Sequence, residues 1–209
     1  MEQLIENLIQ EGHLKTPLII EAFKRINRAD FVVDELKEEA DINAPLPIGY
    51  GQTISQPLTV AFMLELLQPQ PGDKVLDIGA GSGWQTALLA YCVASSPSGG
   101  GQVFAMELIE ELAKFGKKNV GKYNFINKGI VKFIHADGSR GLKWAAPFDK
   151  VIVAASARKL PEEWKKQLKV GGRLVAPVKE SIWLIIRKSE TEFDEVEFPG
   201  FVFVPLIET

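Results

Sequence analysis

Of the residues that commonly ligate transition metals, the 209-residue chain has one cysteine, Cys92, and two histidines. A single cysteine excludes an internal disulfide and a thiolate-built zinc cluster, so no metal is expected. No apolar run approaches the roughly 18–20 residues of a membrane span. The start, Met1-Glu2-Gln3, lacks the basic residues and apolar core of a signal peptide. A cytoplasmic protein without a membrane partner is expected. A dominant sign of charge is missing as well: 24 Lys+Arg against 27 Asp+Glu leave a net charge of −3. Such a chain has no strong field toward phosphate backbones, so nucleic acid is not an expected partner. A monomer is expected, though nothing in the sequence fixes the oligomeric state. What is present, 46% hydrophobic and 24% charged residues, suffices for one domain with a packed core.

Apolar spacing places two short helices between Glu2 and Arg28, the second opened by Thr16-Pro17. Phe31 to Asn43 reads as irregular. Ala44 to Gln52 is too rich in proline and glycine for helix interior and reads as a structured loop. Pro57 to Leu67 is a helix. Beyond Gly72 the pattern alternates: strand 74–78, helix 84–92, strand 101–107, helix 110–120, strand 130–135, strand 150–154, helix 160–168 and strand 173–176. The fold class expected is α/β, a doubly wound and mainly parallel sheet. Ile182–Lys188 and Val202–Val204 follow with no helix between them and are expected as closing antiparallel strands. Ala94 to Gln102 reads as a surface loop. The chain divides into segments 1–56, 57–178 and 179–209 of one domain.

Val75-Leu76-Asp77-Ile78-Gly79-Ala80-Gly81-Ser82-Gly83-Trp84 is a strand running into a glycine turn and then a helix. Glycines there allow positive φ and close approach of a ligand to the main chain. A dinucleotide fingerprint would need a small residue at position 84, where Trp84 stands. Glycines at 79, 81 and 83 after Asp77 instead resemble motif I of the class I S-adenosylmethionine (SAM)-dependent methyltransferases. Glu107 ends the next strand, where a carboxylate can accept hydrogen bonds from both ribose hydroxyls. Asp137-Gly138, after the third strand, would meet the adenine edge, as the resemblance implies.

Leu46-Pro47-Ile48-Gly49-Tyr50-Gly51-Gln52-Thr53-Ile54-Ser55-Gln56-Pro57 precedes this sheet. Read alone, Ser55 and Gln56 only satisfy the free N–H groups of a helix begun by Pro57. The string nevertheless resembles the segment before motif I of the protein-L-isoaspartate O-methyltransferases. Further similarities lie at Arg28-Ala29-Asp30-Phe31-Val32, Asp137-Gly138-Ser139, Ala146-Pro147-Phe148-Asp149, Gln167-Leu168 with Gly171-Gly172, and Val202-Phe203-Val204-Pro205-Leu206. The resemblance implies a repair enzyme with a Rossmann-like fold that moves the SAM methyl to the α-carboxylate of L-isoaspartyl residues in damaged proteins or peptides, leaving S-adenosyl-L-homocysteine. It places Ser55 at the active site and Thr53 and Ile54 on the methionine side of SAM. Asp77, Gly79, Gly81, Gly83, Glu107, Asp137 and Gly138 would hold the rest of the cofactor, and Ala155, Ser156, Val204 and Pro205 the substrate. His135 reads as a strand-end residue, Cys92 as inert core, and Trp144 and Trp164 as packing or surface contacts.

Two positions depart from the family pattern where it commonly has glycine, Ala136 and Lys179; if the backbone turns left-handed at Lys179, strain of about 1 kcal/mol is expected. The alternatives are the same scaffold acting on another acceptor, a SAM-binding homologue without activity, and a nicotinamide oxidoreductase, which Trp84 argues against.

Overall fold

The computed structural model describes residues 1–94 and 100–207. The expected helix pair is α1 (Glu2–Gln10) and α2 (Pro17–Arg25), with Pro17 at a position where the missing N–H goes unused. Arg28–Phe31 and Asp34–Glu39 are 3₁₀ turns. The breaker-rich stretch expected as a loop contains a short antiparallel hairpin, β1 (Leu46–Gly49) and β2 (Gln52–Ile54). Tyr50 and Gly51 between them both take positive φ, 55° and 71°, the turn geometry whose twist suits a hairpin. α3 (Pro57–Leu67) follows and ends at Gln68 in the left-handed region.

The alternating half comprises β3 (Lys74–Ile78), α4 (Trp84–Ala94), β4 (Gln102–Glu107), α5 (Glu110–Gly121), β5 (Val131–His135), β6 (Phe148–Val153), α6 (Glu162–Lys166), β7 (Leu168–Val178), β8 (Ser181–Arg187) and β9 (Phe193–Pro199). Of the expected surface loop Ala94 to Gln102, positions 95–99 lie outside the described residues. The seven long strands form one sheet in the order β5-β4-β3-β6-β7-β8-β9, parallel from β5 through β7 and antiparallel thereafter. The order reverses between β3 and β6, and in open α/β sheets ligands sit outside the carboxyl ends at such a switch.

Three expectations are corrected. Val202–Val204 is not a strand. The closing strand is β9, and residues beyond it cross back over the carboxyl ends, where Pro205 bridges Ser156. Helix 160–168 shrinks to the five residues of α6, because Leu168 already pairs with Phe148. The fifth parallel strand begins early, at Leu168, and Gly171-Gly172 lies inside it. Phe148 pairs with Leu168 but Lys150 with Arg173, so the intervening residues bulge out, with Gly171 at φ 82°.

Burial explains the layering. Along β3 and β4, Val75, Val103 and Ala105 join a core shared with α1 to α5, while Leu76, Ile78, Phe104 and Met106 join another that includes Trp164 of α6. Helices therefore cover both faces, and the parallel strands carry the continuous apolar runs this requires. α4 is buried along most of its length, between the sheet and α2, where Phe23 meets Trp84 edge-on at 5.5 Å.

Candidate active site

Three parallel strands end in turns that open onto one cleft of about 860 Å³, part of it open to solvent. After β3, Gly79 at φ 77° and Gly81 at φ 53° bend the chain so that main chain, not side chain, faces the space. A Cβ on Gly81 would stand 3.3 Å from Ile48 Cδ1 of the hairpin, so the glycine lets the facing wall approach. At the end of β4, the nearly buried Glu107 lines the cleft; its Oε2 accepts from Gly81 N–H at 2.8 Å and its Oε1 from Ile109 N–H at 2.9 Å. A carboxylate has about four acceptor sites, so these bonds orient Glu107 and leave capacity for two hydroxyls. After β5, Gly138 lines the cleft against Ile78, where a Cβ would fall 2.5 Å from Ile78 Cγ2. Buried Trp164 donates its Nε1–H to the Gly138 carbonyl at 3.0 Å. The Trp164 indole thus supports this turn from beneath, a more specific task than packing.

The opposite wall comes from outside the parallel strands. Thr53 and Ile54 of the hairpin and Ser55 just after it line this side together with Val204, Pro205 and, after β6, Ala155. A second hollow, also open to solvent, adjoins the first and is lined by Pro45, Gln56, Thr59, Val202 and Phe203. Thr53, Ser55, Ala154 and Val204 line both, so they form the partition.

Among the described residues, no group of three or more His, Cys, Asp or Glu could hold a metal ion. A sequence profile described as protein-L-isoaspartate(D-aspartate) O-methyltransferase matches residues 1–209. The chain belongs to this family. It is 40% identical over 210 residues to the protein-L-isoaspartate O-methyltransferase of Methanopyrus kandleri, covering 99% of this chain and 90% of that one. With the Aeropyrum pernix protein of the same name it shares 43% over 209 residues, covering 98% and 78%. Among solved structures, a Plasmodium falciparum chain assigned to this family and bound to S-adenosyl-L-homocysteine superposes with a TM-score of 0.88 at 24% identity, covering 99% and 98%; this likeness speaks for the fold.

Four of the site residues expected from sequence do not line the cleft of this methyltransferase. Asp77 is fully buried, its Oδ1 accepting from Gln85 Nε2 at 2.9 Å and its Oδ2 from Thr86 Oγ1 at 2.6 Å. It anchors the start of α4, and Gln85 reaches the cleft in its place. Desolvation pushes the Asp77 carboxyl up to about 6 against the two hydrogen bonds, which favour the charged form. Gly83 is where α4 and α5 touch, a Cβ there falling 2.8 Å from Val120 Cγ2 and 3.0 Å from Gly116 O. Asp137 accepts from Ser139 N–H at 2.8 Å and shapes the turn whose Gly138 lines the cleft. Ser156 turns away and donates its Oγ–H to the Lys179 carbonyl at 2.9 Å.

Reading by motif missed Ile48 and Gln52 on the hairpin, Trp84 and Gln85 at the start of α4, and Met106 and Ala136. Trp84 and Gln85 carried a usable signal, since they follow the glycine turn directly. Cys92 is buried and its thiol pushed up to about 12 by desolvation, which suits inert core. His135 closes β5 with Nε2 2.9 Å from the Leu108 carbonyl, and Trp144 is 69% exposed.

Proposed function

We propose that the strand-end cleft holds S-adenosylmethionine, that the adjoining cavity admits the isoaspartyl residue of a damaged protein or peptide, and that Ser55 lies where the two meet. The observation that carries this reading is that Ser55 lines both cavities. Glu107 would hold the ribose, Gly79 and Gly81 the main-chain side of the cofactor, Gly138 the adenine, and Thr53 and Ile54 the methionine end. The cofactor's relation to the residues is supported by the oriented Glu107 carboxylate and by the open main chain at Gly79 and Gly81. When bound, S-adenosylmethionine supplies an electrophilic methyl carried on a sulfonium, and S-adenosyl-L-homocysteine is the product left behind.

An isoaspartyl carboxylate with a pKa near ~4 is ionised at neutral pH, so no base has to remove a proton before it attacks. The work left to the residues is alignment and exclusion of water. The Ser55 hydroxyl can donate to one carboxylate oxygen while the other faces the methyl, and Ala155, Val204 and Pro205 supply an apolar surround. Asp77, fixed between Gln85 and Thr86, stiffens the turn rather than meeting the reactants. The chain is further read as one methyltransferase unit that is monomeric and cytoplasmic, with no nucleic-acid partner. Its buried free cysteine suits a reducing compartment, and exposed apolar side chains such as Ile9, Trp144 and Val170 are scattered over separate elements.

Methyl transfer from isotopically labelled SAM to an isoaspartyl peptide, beside its aspartyl twin, tests the reading. Base-labile label on the isoaspartyl peptide alone is expected. Ser55→Ala should lower turnover on the order of 10- to 100-fold, as misalignment does, with SAM affinity by calorimetry unchanged. Equal losses in rate and affinity would make Ser55 a cofactor contact. Label on neither peptide, with SAM bound, would move the reading to another acceptor.

A further inference from the structure

Arg28 follows α2 and is completely buried, yet no salt bridge to it occurs among the described residues. Its guanidinium donates instead to main-chain carbonyls: Nη1 to Ala40 at 3.0 Å and Ile42 at 3.1 Å, Nη2 to Ala44 at 2.8 Å and Ser55 at 3.1 Å. The group lies 5.3 Å from the ring centroid of Trp84, which lines the cleft. Burial lowers its pKa to about 10, which still leaves it charged at neutral pH. Burying a cation without a counter-ion is costly, and the carbonyls chosen here show what it secures.

Ala44 and Ser55 flank the two ends of the hairpin. Its last ladder pair is Leu46 with Ile54, and the next rung would fall at Pro45, which has no N–H to donate. A fork of donors from Arg28 closes the hairpin where the ladder stops, with Nη2 joining the Ala44 and Ser55 carbonyls from its two strands' outer ends. Asn43 secures the same region from the other side, its Oδ1 accepting the Leu58 N–H of α3 at 3.0 Å.

We propose that Arg28 is a positioning residue for methyl transfer: its guanidinium clamps the open end of the 46–54 hairpin and thereby fixes Ser55 against the cleft. The proposal rests on the reading of Ser55 as the group that orients the acceptor. A lysine keeps the charge but has a single ammonium in place of the planar fork, so it cannot span four carbonyls in the same way.

The test uses the full chain as Arg28→Lys and Arg28→Met, each alone and combined with Ser55→Ala. Readouts are kcat and KM for an isoaspartyl peptide, S-adenosyl-L-homocysteine affinity by calorimetry, and thermal melting. For Arg28→Lys we expect a cooperative melt, affinity within about 2-fold of the parent, and kcat lower by about 10- to 100-fold. In the Ser55→Ala background the same change should lower kcat by less than about 2-fold, because the group it positions is gone. Unchanged kcat in Arg28→Lys, equal losses in both backgrounds, or a failure of Arg28→Lys to fold would each overturn the proposal and leave Arg28 a residue of general stability. Should only Arg28→Met fail to fold, Arg28→Lys decides. A parent chain silent toward the isoaspartyl peptide would overturn the reading of Ser55 itself; an active parent with an Arg28→Lys variant equal to it overturns the role of Arg28 alone.

Discussion

The wall of the cleft that carries Gly79, Gly81, Glu107 and Gly138 is held by five parallel strands packed on both faces, whereas the wall that carries Thr53, Ser55, Val204 and Pro205 is held by a short hairpin, a buried arginine and one bridge to Ser156. A site anchored in a sheet cannot shift without breaking the core, because interiors are close-packed. The second wall reaches the core through Leu46, Ile48 and Ile54, while Thr53, Ser55, Val204 and Pro205 stay outside it and can be retuned one residue at a time. Changes on the strand side should therefore register as lost folding or lost cofactor, and changes at Ser55, Val204 and Pro205 on the other wall as altered handling of the acceptor.

The strongest blow to the strand side is Gly83→Ala. The backbone there is at φ 89°, and a Cβ would press on Val120 Cγ2 and the Gly116 carbonyl. Left-handed strain and overpacking together should cost about 2–5 kcal/mol by urea unfolding. A loss under about 1 kcal/mol would mean that α4 and α5 slide apart freely, and the rigidity argued for this wall would fail.

Asp77 gives a pH test of the same wall. Its folded pKa is raised from 3.8 to about 6, so between those values the folded chain keeps a proton that the unfolded chain has lost. This contribution is present below pH 4 and is lost as pH rises through 6. From pH 4 to pH 7 the stability of the parent relative to Asp77→Asn should fall by up to roughly 3 kcal/mol. A flat difference across that range would mean that the hydrogen bonds from Gln85 and Thr86 offset the desolvation in full. Glu107→Ala comes next, with an expected loss of about 1–3 kcal/mol in SAM affinity from the missing charge-assisted bonds. Unchanged affinity by calorimetry would take Glu107 out of the site.

The same contrast explains which parts of the fold and the cleft are legible in the sequence. Glu107 and the glycines were legible because strand, turn and helix are adjacent in sequence, and the chemistry of such a turn is local. Gly83 was legible as a requirement but not for its reason, since Val120 lies far along the chain. The hairpin is hidden by its own prolines and glycines; Arg28 opens a stretch similar to the family, but a charged neighbourhood gives no sign of its burial. β9 escaped because the run Phe193-Asp194-Glu195-Val196-Glu197 is acidic, whereas Val202-Phe203-Val204 has the stronger strand propensity but follows Gly200 and leads to the Pro205 bridge.

The smallest expected effect lies on the hairpin side, at Lys179. Its φ of 55° is the left-handed value anticipated for this departure from the family pattern. The turn's bonds there use main chain: Lys179 N–H donates to the Ala157 carbonyl at 3.1 Å, and its own carbonyl accepts from Ser156 Oγ. Lys179→Gly keeps both while relieving about 1–2 kcal/mol of strain, offset by roughly 0.4–1 kcal/mol of added freedom in the unfolded chain. A net gain of about 1 kcal/mol or less in urea unfolding, with turnover on an isoaspartyl peptide unchanged, is the expected outcome. A fall in turnover without a loss of stability would show that the lysine side chain itself meets the acceptor, and the second wall would then owe more to side chains than to the main-chain bonds that hold it.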